Sequence, residues 1–339
     1  MKYADLVWDH DEAAHAKFVA NLAPIVLFTY NRLDHTRQTV EALRQNVYAA
    51  DSRLYIFSDG ARNEQAEPQV QAVREYLHTV DGFKEITYVE REENWGLARN
   101  IIDGVTKIVN QYGKIIVVED DIVTSKWFLK FMNDALEVYR DIPKVMSISA
   151  FTDPVEDKSA FHETFFLSHP GCWGWATWQR VWKNYERNPQ KCIEQFSVED
   201  IDRFNMHGAY DYWSQVTANA EGTLFTWAIF MDALVFKHNG VNLYSKETLS
   251  RNCGFDGTGE HCGEDEDYSH MTVTDQPVEQ FVIDPIELDE QAEHCLEVFY
   301  RKRSTPKPLL HRVLNVYRKE GWGGICKRVK KRIVPLKNK

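Results

Sequence analysis

Short apolar runs alternate with amphipathic segments through the first half of the chain. The runs have the length of strands and lie at residues 24–29, 53–58, 86–90, 114–119 and 145–149. Between them, apolar residues recur three or four positions apart, which is the spacing of one face of a helix. Strands that are apolar throughout and are separated by helices are typical of a parallel sheet covered by helices on both faces. The pattern therefore predicts an α/β fold.

The helical segments follow the strands in order. We expect Asp34 to cap the first helix, because aspartate is a favoured N-cap residue. A fourth helix is expected over residues 127–139. The apolar positions of the first three helices are Val40, Leu43 and Val47, then Val70, Val73, Leu77 and Val80, then Leu97, Ile101, Val105 and Ile108.

Polar residues follow three of the predicted strands. Asn31 and Arg32 come after the first strand, Asp59 ends the second, and residues 119–121 end the fourth. Ligands of open α/β sheets bind beyond the carboxyl ends of the strands. These residues are therefore expected to line a nucleotide site.

Residues 119–121 are three consecutive acids, Glu119, Asp120 and Asp121. Crowded carboxylates repel one another unless a cation or hydrogen-bond donors compensate them. A divalent metal carrying a diphosphate would do so. The alternative is an acidic helix N-terminus, where negative charge suits the helix dipole. The triplet alone leaves both interpretations open.

The segment N-W-G-L-A-R-N opens the third helix. Gly96 permits a tight turn, and Arg99 and Asn100 are candidates to face a nucleotide phosphate or base. Asp59 could accept a hydrogen bond from a uracil N–H, and Arg32 could lie against a base or phosphate. Each residue also has an ordinary interpretation, with Asp59 in a simple Asp-Gly turn and Arg99 on the surface.

Taken in order, these motifs resemble those of GT-A glycosyltransferases. The motifs are T-Y-N-R at 29–32, S-D-G at 58–60, N-W-G-L-A-R-N at 94–100 and V-V-E-D-D at 117–121, followed by blocks at 166–182, 226–229 and 252–262. The resemblance is closest to the N-acetylglucosaminyltransferase I type and its bacterial sugar-transferase relatives, and it covers roughly residues 24–265. It implies a GT-A (Rossmann-like), mostly parallel sheet flanked by helices.

The resemblance also implies a nucleotide-sugar donor and a metal. Asp121 would coordinate Mn²⁺ (or Mg²⁺) bridging the donor diphosphate, and Glu119 and Asp120 would hold hydroxyls of the donor sugar or ribose. The implied donor is a UDP sugar, with UDP-GlcNAc suggested by the family type, and the implied outcome is inversion. The implied acceptor is a hydroxyl of a glycan or lipid-linked oligosaccharide in bacterial surface-polysaccharide or lipopolysaccharide synthesis.

The nucleotide pocket is implied in the same way. Asp59 would contact uracil, while Arg32 and Asn100 would line the pocket. The 257–261 segment matches a loop that closes over bound donor, so His261 is a candidate to touch the diphosphate or the metal. The alternative for His261 is a loop histidine bonded to backbone.

The general base is less clearly marked. The eukaryotic relatives carry an aspartate after the tryptophan that Trp227 matches, whereas this chain has Ala228. Asp232, about one helical turn further on, is the candidate base, and an exposed helix acid is the alternative.

Four tryptophans lie in the block at 166–182. Trp173 and Trp175 are flanked by glycines and are candidates to stack on a sugar, whereas Trp178 and Trp182 are expected in the core.

Charge is divided unevenly along the chain. Residues 301–339 carry 14 Lys or Arg and one acid, so the remaining residues have a net charge of −24 within a total of −11. An acidic body has no row of basic residues that could bind the phosphates of a nucleic acid, which argues against nucleic-acid binding. The C-terminal stretch is both basic and amphipathic, as expected for contact with an anionic membrane surface. A helix packed on the body, or a solvated end, is the alternative.

These features predict the organisation and location of the protein. We expect a catalytic body over 1–300, with a nucleotide-binding half at about 20–150 and an acceptor-binding half at about 151–300, followed by a basic amphipathic helical tail at 301–339. Six dispersed cysteines without a C-x-x-C pair argue against structural zinc and disulfides. No apolar run of 18 residues or signal-peptide pattern occurs, so a cytoplasmic protein, peripheral on the inner membrane, is expected.

Two other functions fit parts of the sequence. A sugar-nucleotide nucleotidyltransferase also uses an acidic metal site on an α/β sheet, but this chain lacks the Gly-rich basic loop after the first strand that such enzymes usually carry. A non-catalytic sugar-binding protein with the GT-A fold would explain Ala228. The motifs of P-loop, dinucleotide-binding, zinc-protease and serine-hydrolase enzymes are absent.

Overall fold

The computed structural model describes residues 6–255 and 265–304. The helices are α1 (Val7–His10), α2 (Glu12–Ala20), α3 (Leu33–Arg44), α4 (Glu67–Leu77), α5 (Leu97–Tyr112), α6 (Phe128–Val138), α7 (Gln179–Trp182), α8 (Pro189–Gln195), α9 (Val198–Phe204), α10 (Trp213–Ala220), α11 (Ala228–Lys237), α12 (Glu266–Ser269) and α13 (Glu290–Ser304). The strands are β1 (Ile25–Thr29), β2 (Arg53–Ser58), β3 (Glu85–Glu90), β4 (Lys114–Glu119), β5 (Ile122–Thr124), β6 (Val145–Ser149), β7 (Thr164–Leu167), β8 (Trp175–Trp178), β9 (Val241–Ser245) and β10 (Ser250–Asn252).

Eight strands form one sheet in the order β3-β2-β1-β4-β8-β6-β9-β7. Strands β3, β2, β1 and β4 are parallel to their neighbours, and β8 is inserted antiparallel between β4 and β6. Strand β6 therefore runs in the same direction as β4, and β9 is parallel to β6. The predicted α/β fold with a mostly parallel sheet flanked by helices is confirmed.

The predicted apolar runs form the centre of the sheet. Every residue of β1 and the stretch 115–118 of β4 are buried. Helix α5 packs against both strands through the face that the helical spacing predicts, and α6 packs against β8 and β6. Burial on both faces explains why these strands lack the alternating polar positions of a half-exposed sheet.

The start of α3 differs from the sequence prediction. Arg32, rather than Asp34, occupies the N-cap position, and no side chain caps the helix. Asp34 lies in the first turn, where its charge still suits the helix dipole. The helix therefore starts directly after the polar residues that follow β1, which holds Arg32 at the edge of the sheet.

The second half of the chain extends the sheet with β6 to β9 and adds two smaller apolar clusters beside the main core. Helix α13 covers one of these clusters and continues to Ser304, past the predicted end of the body at residue 300. Arg301 donates to the backbone oxygen of His207 at 2.6 Å, and Tyr300 donates to Asp153 at 3.0 Å. The rest of the predicted tail, 305–339, lies outside the described residues.

Within the described parts of the chain, no helix is both long enough and apolar enough to cross a membrane.

Because α5 packs closely on the sheet, one added methyl group at Gly104 is predicted to destabilise the folded protein. A Cβ at Gly104 would lie 2.8 Å from the Phe28 ring. Alanine favours the helix over glycine by about 1 kcal/mol, but overpacking a core costs about 1–3 kcal/mol. We expect Gly104→Ala to lower the free energy of unfolding in urea denaturation, whereas Gln111→Ala, on an exposed position of the same helix, changes it by less than about 0.5 kcal/mol. Equal stability of the two variants would contradict this packing.

Candidate active site

Three polar clusters meet at one edge of the sheet. Strands β2, β1 and β4 are adjacent and parallel, with Thr29 opposite Ser58 and Phe28 opposite Glu119. The residues that follow these strands therefore emerge side by side, as the sequence predicts. The backbone N–H of Asp59 also donates to the Thr29 oxygen at 3.0 Å, which joins the ends of β2 and β1 directly.

Arg32 joins the two aspartates at the end of β4. Its Nη2 donates to Asp121 Oδ2 at 2.8 Å and also contacts Asp120 Oδ1. Both carboxylates are buried. Burial raises the pKa of Asp120 to about 6, the charge of Arg32 opposes that rise, and Asp121 adds to it. Burial alone would lower the pKa of Arg32, but the two carboxylates outweigh it and raise that pKa.

One nitrogen of the same guanidinium remains available. Nη1 of Arg32 is buried and has no hydrogen-bond partner among the described residues. A buried charged donor without an acceptor is costly, so this atom indicates where an oxygen-bearing ligand would be stabilised.

A second strand pair forms the other side of this acidic site. β10 pairs antiparallel with β5, and the Cys253 N–H donates to the Asp121 backbone oxygen at 2.8 Å. A Cβ at Gly254 would lie 2.5 Å from Asp121 Oδ2. Only a glycine leaves this carboxylate in its observed place. The sequence pattern did not identify Gly254 as a site residue, although it lies within the block at 252–262.

Asp59 organises the turn before α5. Its Oδ1 accepts from the N–H groups of Gly60 (3.0 Å) and Trp95 (2.8 Å), and its Oδ2 accepts from Gly96 N–H (2.9 Å) and the Asn94 amide (3.1 Å). Both oxygens are thus occupied and the side chain is buried. In the structure Asp59 shapes the predicted pocket through this turn, and its direct contact with uracil stays a prediction.

Asn100 is bonded to a neighbouring arginine, and its contact with the nucleotide stays a prediction. It is buried, and its Oδ1 accepts from Arg91 Nε at 3.1 Å. The Arg91 guanidinium also pairs with Asp103 and lies 3.9 Å from the Trp95 ring centre. Asn100 therefore supports Arg91, which the sequence pattern missed. Arg99 is exposed, and its guanidinium lies 4.2 Å from the centre of the same Trp95 ring.

The tryptophans divide differently from the prediction. Trp178 and Trp182 are buried, as expected. Trp175 was expected at a sugar site, but it is 1% exposed within β8 and stacks on Trp227 at 5.1 Å. That prediction is wrong, because β8 is buried on both faces and the ring lies in the core. Trp173 is half-buried, among the rings of Phe151, Phe255 and Tyr268.

Asp232 lies on α11 and is buried rather than exposed. Its Oδ1 lies 3.0 Å from His169 Nδ1. Burial raises the pKa of Asp232, and the hydrogen bond and charge of His169 oppose that rise. The structure therefore places a histidine directly against the predicted base. His261, the other histidine of the prediction, lies outside the described residues.

Over residues 6–255 and 265–304, no group of three or more His, Cys, Asp or Glu side chains could hold a metal ion. Asp120 and Asp121 supply carboxylate oxygens, which small hard cations prefer as ligands.

The sheet, with a pair of buried carboxylates at the end of its central strands, has the GT-A (Rossmann-like) fold. Residues 25–198, just over half of the chain, match the profile of glycosyl transferase family 2. The chain belongs to this family. No curated protein matches the sequence. The narrower N-acetylglucosaminyltransferase I type stays a prediction.

Several solved structures are similar to the chain at low identity. A mannosyltransferase from Pyrobaculum calidifontis, in complex with GDP-Man and Mn²⁺, has 13% identity and a TM-score of 0.37 over 64% of this chain and 68% of its own. A cytidylyltransferase from Leptospira borgpetersenii has 9% identity and a TM-score of 0.30 over 52% and 66%. A UDP-glucose pyrophosphorylase in complex with UDP-glucose has 12% identity and a TM-score of 0.36 over 68% and 94%.

The four bonds to Asp59 predict a stability effect. Asp59→Ala leaves buried N–H donors of the turn without acceptors, which costs about 1–3 kcal/mol. We expect a corresponding loss in the free energy of unfolding by chemical denaturation. Glu64→Ala, which removes an exposed acid from a nearby turn, is the control and changes it little. If both variants unfold at the wild-type denaturant concentration, Asp59 does not hold the turn.

Proposed function

We propose that the protein transfers a sugar from a nucleotide-sugar donor to a hydroxyl of a glycan or lipid-linked acceptor, with inversion. The observation that carries this proposal is the buried Asp120–Asp121 pair beside Arg32, at the edge where an α/β sheet binds nucleotides. Family 2 membership supports glycosyl transfer over the nucleotidyltransferase and the non-catalytic alternatives. The proposed donor is a UDP sugar, with UDP-GlcNAc the first candidate.

The acidic pair fits a divalent cation by the chemistry of its ligands. Carboxylate oxygens suit Mn²⁺ and Mg²⁺, and two acids with a substrate diphosphate form a usual ligand set for such ions. We assign Asp121 to the metal and Asp120, with Glu119, to hydroxyls of the ribose or donor sugar. Bound there, the cation would stabilise the negative charge of the departing nucleoside diphosphate. Nη1 of Arg32, which has no hydrogen-bond partner in the part of the chain that the structure describes, fits an oxygen of the same diphosphate.

Other residues take supporting places in this proposal. Asp59 holds the turn that carries Trp95, and Arg99 lies exposed beside that ring, available to a base or phosphate. Trp173 is half-buried and remains a candidate to stack on a sugar. His261 stays a candidate for contact with the diphosphate or the metal.

The donor can be identified by its stabilising effect. Thermal-shift measurements with UDP, GDP, dTDP and CMP sugars and Mn²⁺ should show the largest rise in melting temperature for the true donor, because a ligand that binds only the folded state stabilises it. Slow Mn²⁺-dependent release of UDP from a UDP sugar distinguishes a glycosyltransferase from a nucleotidyltransferase, which releases pyrophosphate, and from a sugar-binding protein, which releases neither.

Asp121→Ala is expected to abolish Mn²⁺-dependent donor binding while the protein remains folded, because its charge is required for the cation. Titration calorimetry with UDP and Mn²⁺ measures the loss. The control is Asp34→Ala, which removes an exposed acid two residues from Arg32. His261→Ala should weaken binding less than Asp121→Ala. Wild-type binding by Asp121→Ala would contradict the metal assignment, and the reverse order would make His261 the main ligand.

We also propose that the basic C-terminal stretch attaches the protein to the cytoplasmic face of an anionic membrane. The support is its sequence, in which Leu309, Leu310, Val313, Leu314 and Tyr317 recur at helical spacing and Lys and Arg alternate with Ile and Val at 325–336. Each Lys or Arg near an anionic surface contributes about 1 kcal/mol. A lipid-linked acceptor would lie at the same surface.

Deletion of residues 305–339 should release the protein from liposomes that contain anionic lipid and leave donor hydrolysis intact. Binding of the full chain should fall steeply with rising salt, since the attraction is screened. Charge reversal of Lys330 and Lys331 is a milder variant and should weaken binding partially. Equal co-sedimentation of the full and shortened chains would contradict the proposal.

A further inference from the structure

His169 and Asp232 form a buried pair on the acceptor-binding side of the sheet. His169 follows β7 in the segment that leads to β8, and Asp232 lies on α11. The side chains are 12% and 8% exposed, and His169 Nδ1 lies 3.0 Å from Asp232 Oδ1. Among the described residues, His169 is the one side-chain partner of this carboxylate.

The imidazole is held in one orientation. Its ring stacks on Tyr212 with centres 4.1 Å apart and planes within 10°, and Phe204 packs beside it at 5.4 Å. The backbone oxygen of His169 accepts from the Tyr244 hydroxyl at 2.7 Å. The ring, the backbone oxygen and Nδ1 of His169 are therefore each held by a different part of the fold. Burial alone would not require all three contacts.

This arrangement determines the tautomer of the neutral ring. Facing a carboxylate, Nδ1 carries the proton, so the lone pair lies on Nε2. No residue that the structure describes hydrogen-bonds Nε2. A neutral histidine of this kind, oriented by a buried aspartate, is equipped to accept a proton at Nε2.

Strand β7 is antiparallel to β9 and ends opposite Asn242, so His169 follows the strand at the end of the sheet away from the acidic site. The segment after His169 leads from there to the edge of the acidic site. β6 and β9 run in the direction of β4, so Ser149 and Tyr244 mark this edge. The segment after His169 crosses it, because a Cβ at Gly171 would contact both Ser149 and Tyr244. Trp173, further along the segment, touches Phe255, whose neighbour Gly254 packs against Asp121. A short series of contacts thus joins the histidine to the proposed donor site.

We propose that His169 is the base that accepts the proton of the acceptor hydroxyl, and that Asp232 is a positioning residue that acts through it. This inference rests on the proposed function. As the acceptor O–H bond breaks, its proton moves to Nε2 and the oxygen bonds to the anomeric carbon. The bond from that carbon to the diphosphate oxygen breaks, and its electron pair leaves with the nucleoside diphosphate. The resulting imidazolium is balanced by the Asp232 carboxylate.

The experiment measures Mn²⁺-dependent release of UDP from UDP-GlcNAc by the full chain, with water or added glycan as acceptor. His169→Gln keeps a donor toward Asp232 but cannot accept the proton, so kcat should fall about 10²–10⁴-fold, while the Kd for donor stays within twofold. His207→Gln is the matched control, because His207 forms an equivalent pair with Asp202 at 2.7 Å on the exposed surface. This control should have the wild-type kcat.

Two further variants separate chemistry from folding. Imidazole added to His169→Gly should restore turnover, but should not change His169→Gln, which leaves no space for it. Asp232→Asn should lower kcat without changing donor affinity, and the double variant with His169→Gln should lose no more than His169→Gln alone, since the pair acts as a unit. If the two residues had only a structural role, the losses of kcat in the single variants would add in the double variant, and imidazole would not restore turnover.

The outcomes distinguish this inference from the function on which it rests. Wild-type turnover in His169→Gln, or a loss confined to Asp232→Asn, would overturn the role of His169 and return the base to Asp232. The wild-type protein could also fail to bind any nucleotide sugar of the panel and to release UDP from it. That result would overturn the proposed function itself, and this inference with it.

Discussion

Two carboxylates buried side by side at the end of β4 require a positive charge, and the surrounding architecture supplies one. Arg32 reaches both because β1 is the neighbour of β4 and α3 begins directly after it. Removing Arg32 is expected to be strongly destabilising, because two buried carboxylates would then lose the positive partner that they share. The adjacency of β1 and β4, the early start of α3 and the glycine at 254 all serve this one electrostatic constraint.

Some polar residues at this edge of the sheet hold the fold together, whereas others are free to contact a ligand. Asp59 and Asn100 are polar and well placed in the sequence, yet the structure uses both to hold backbone or neighbouring side chains. Among the described residues, two of the groups without a hydrogen-bond partner are Nη1 of Arg32 and Nε2 of His169. In each side chain another nitrogen is already bonded to a carboxylate, which holds the side chain in place before any ligand arrives. Such preorganisation favours charge stabilisation and proton transfer over loose binding.

The antiparallel strand β8 connects these two groups. By lying between β4 and β6, it continues the sheet into the second half of the chain and keeps the carboxyl ends of β4, β6 and β9 on one edge. All four residues of β8 are buried, and Trp175 and Trp178 enter the core from opposite faces of the strand. As a result, the proposed donor and acceptor sites share one sheet, and a glycine-containing segment crosses between them.

Sequence alone determined the layers of this protein and the position of its acidic site. Solid apolar runs predicted the parallel strands because burial on both faces leaves no polar alternation, and strand ends predicted the clustering of Arg32 with Asp120 and Asp121. Only the tertiary structure decided which side chains from distant parts of the chain meet, because local sequence patterns carry no information about such contacts. The pairing of His169 with Asp232 joins residues 63 positions apart, and the burial of Trp175 depends on which face of β8 meets Trp227. Periodicity describes neighbours along the chain, whereas the partner of a buried polar group is set by which distant elements pack together.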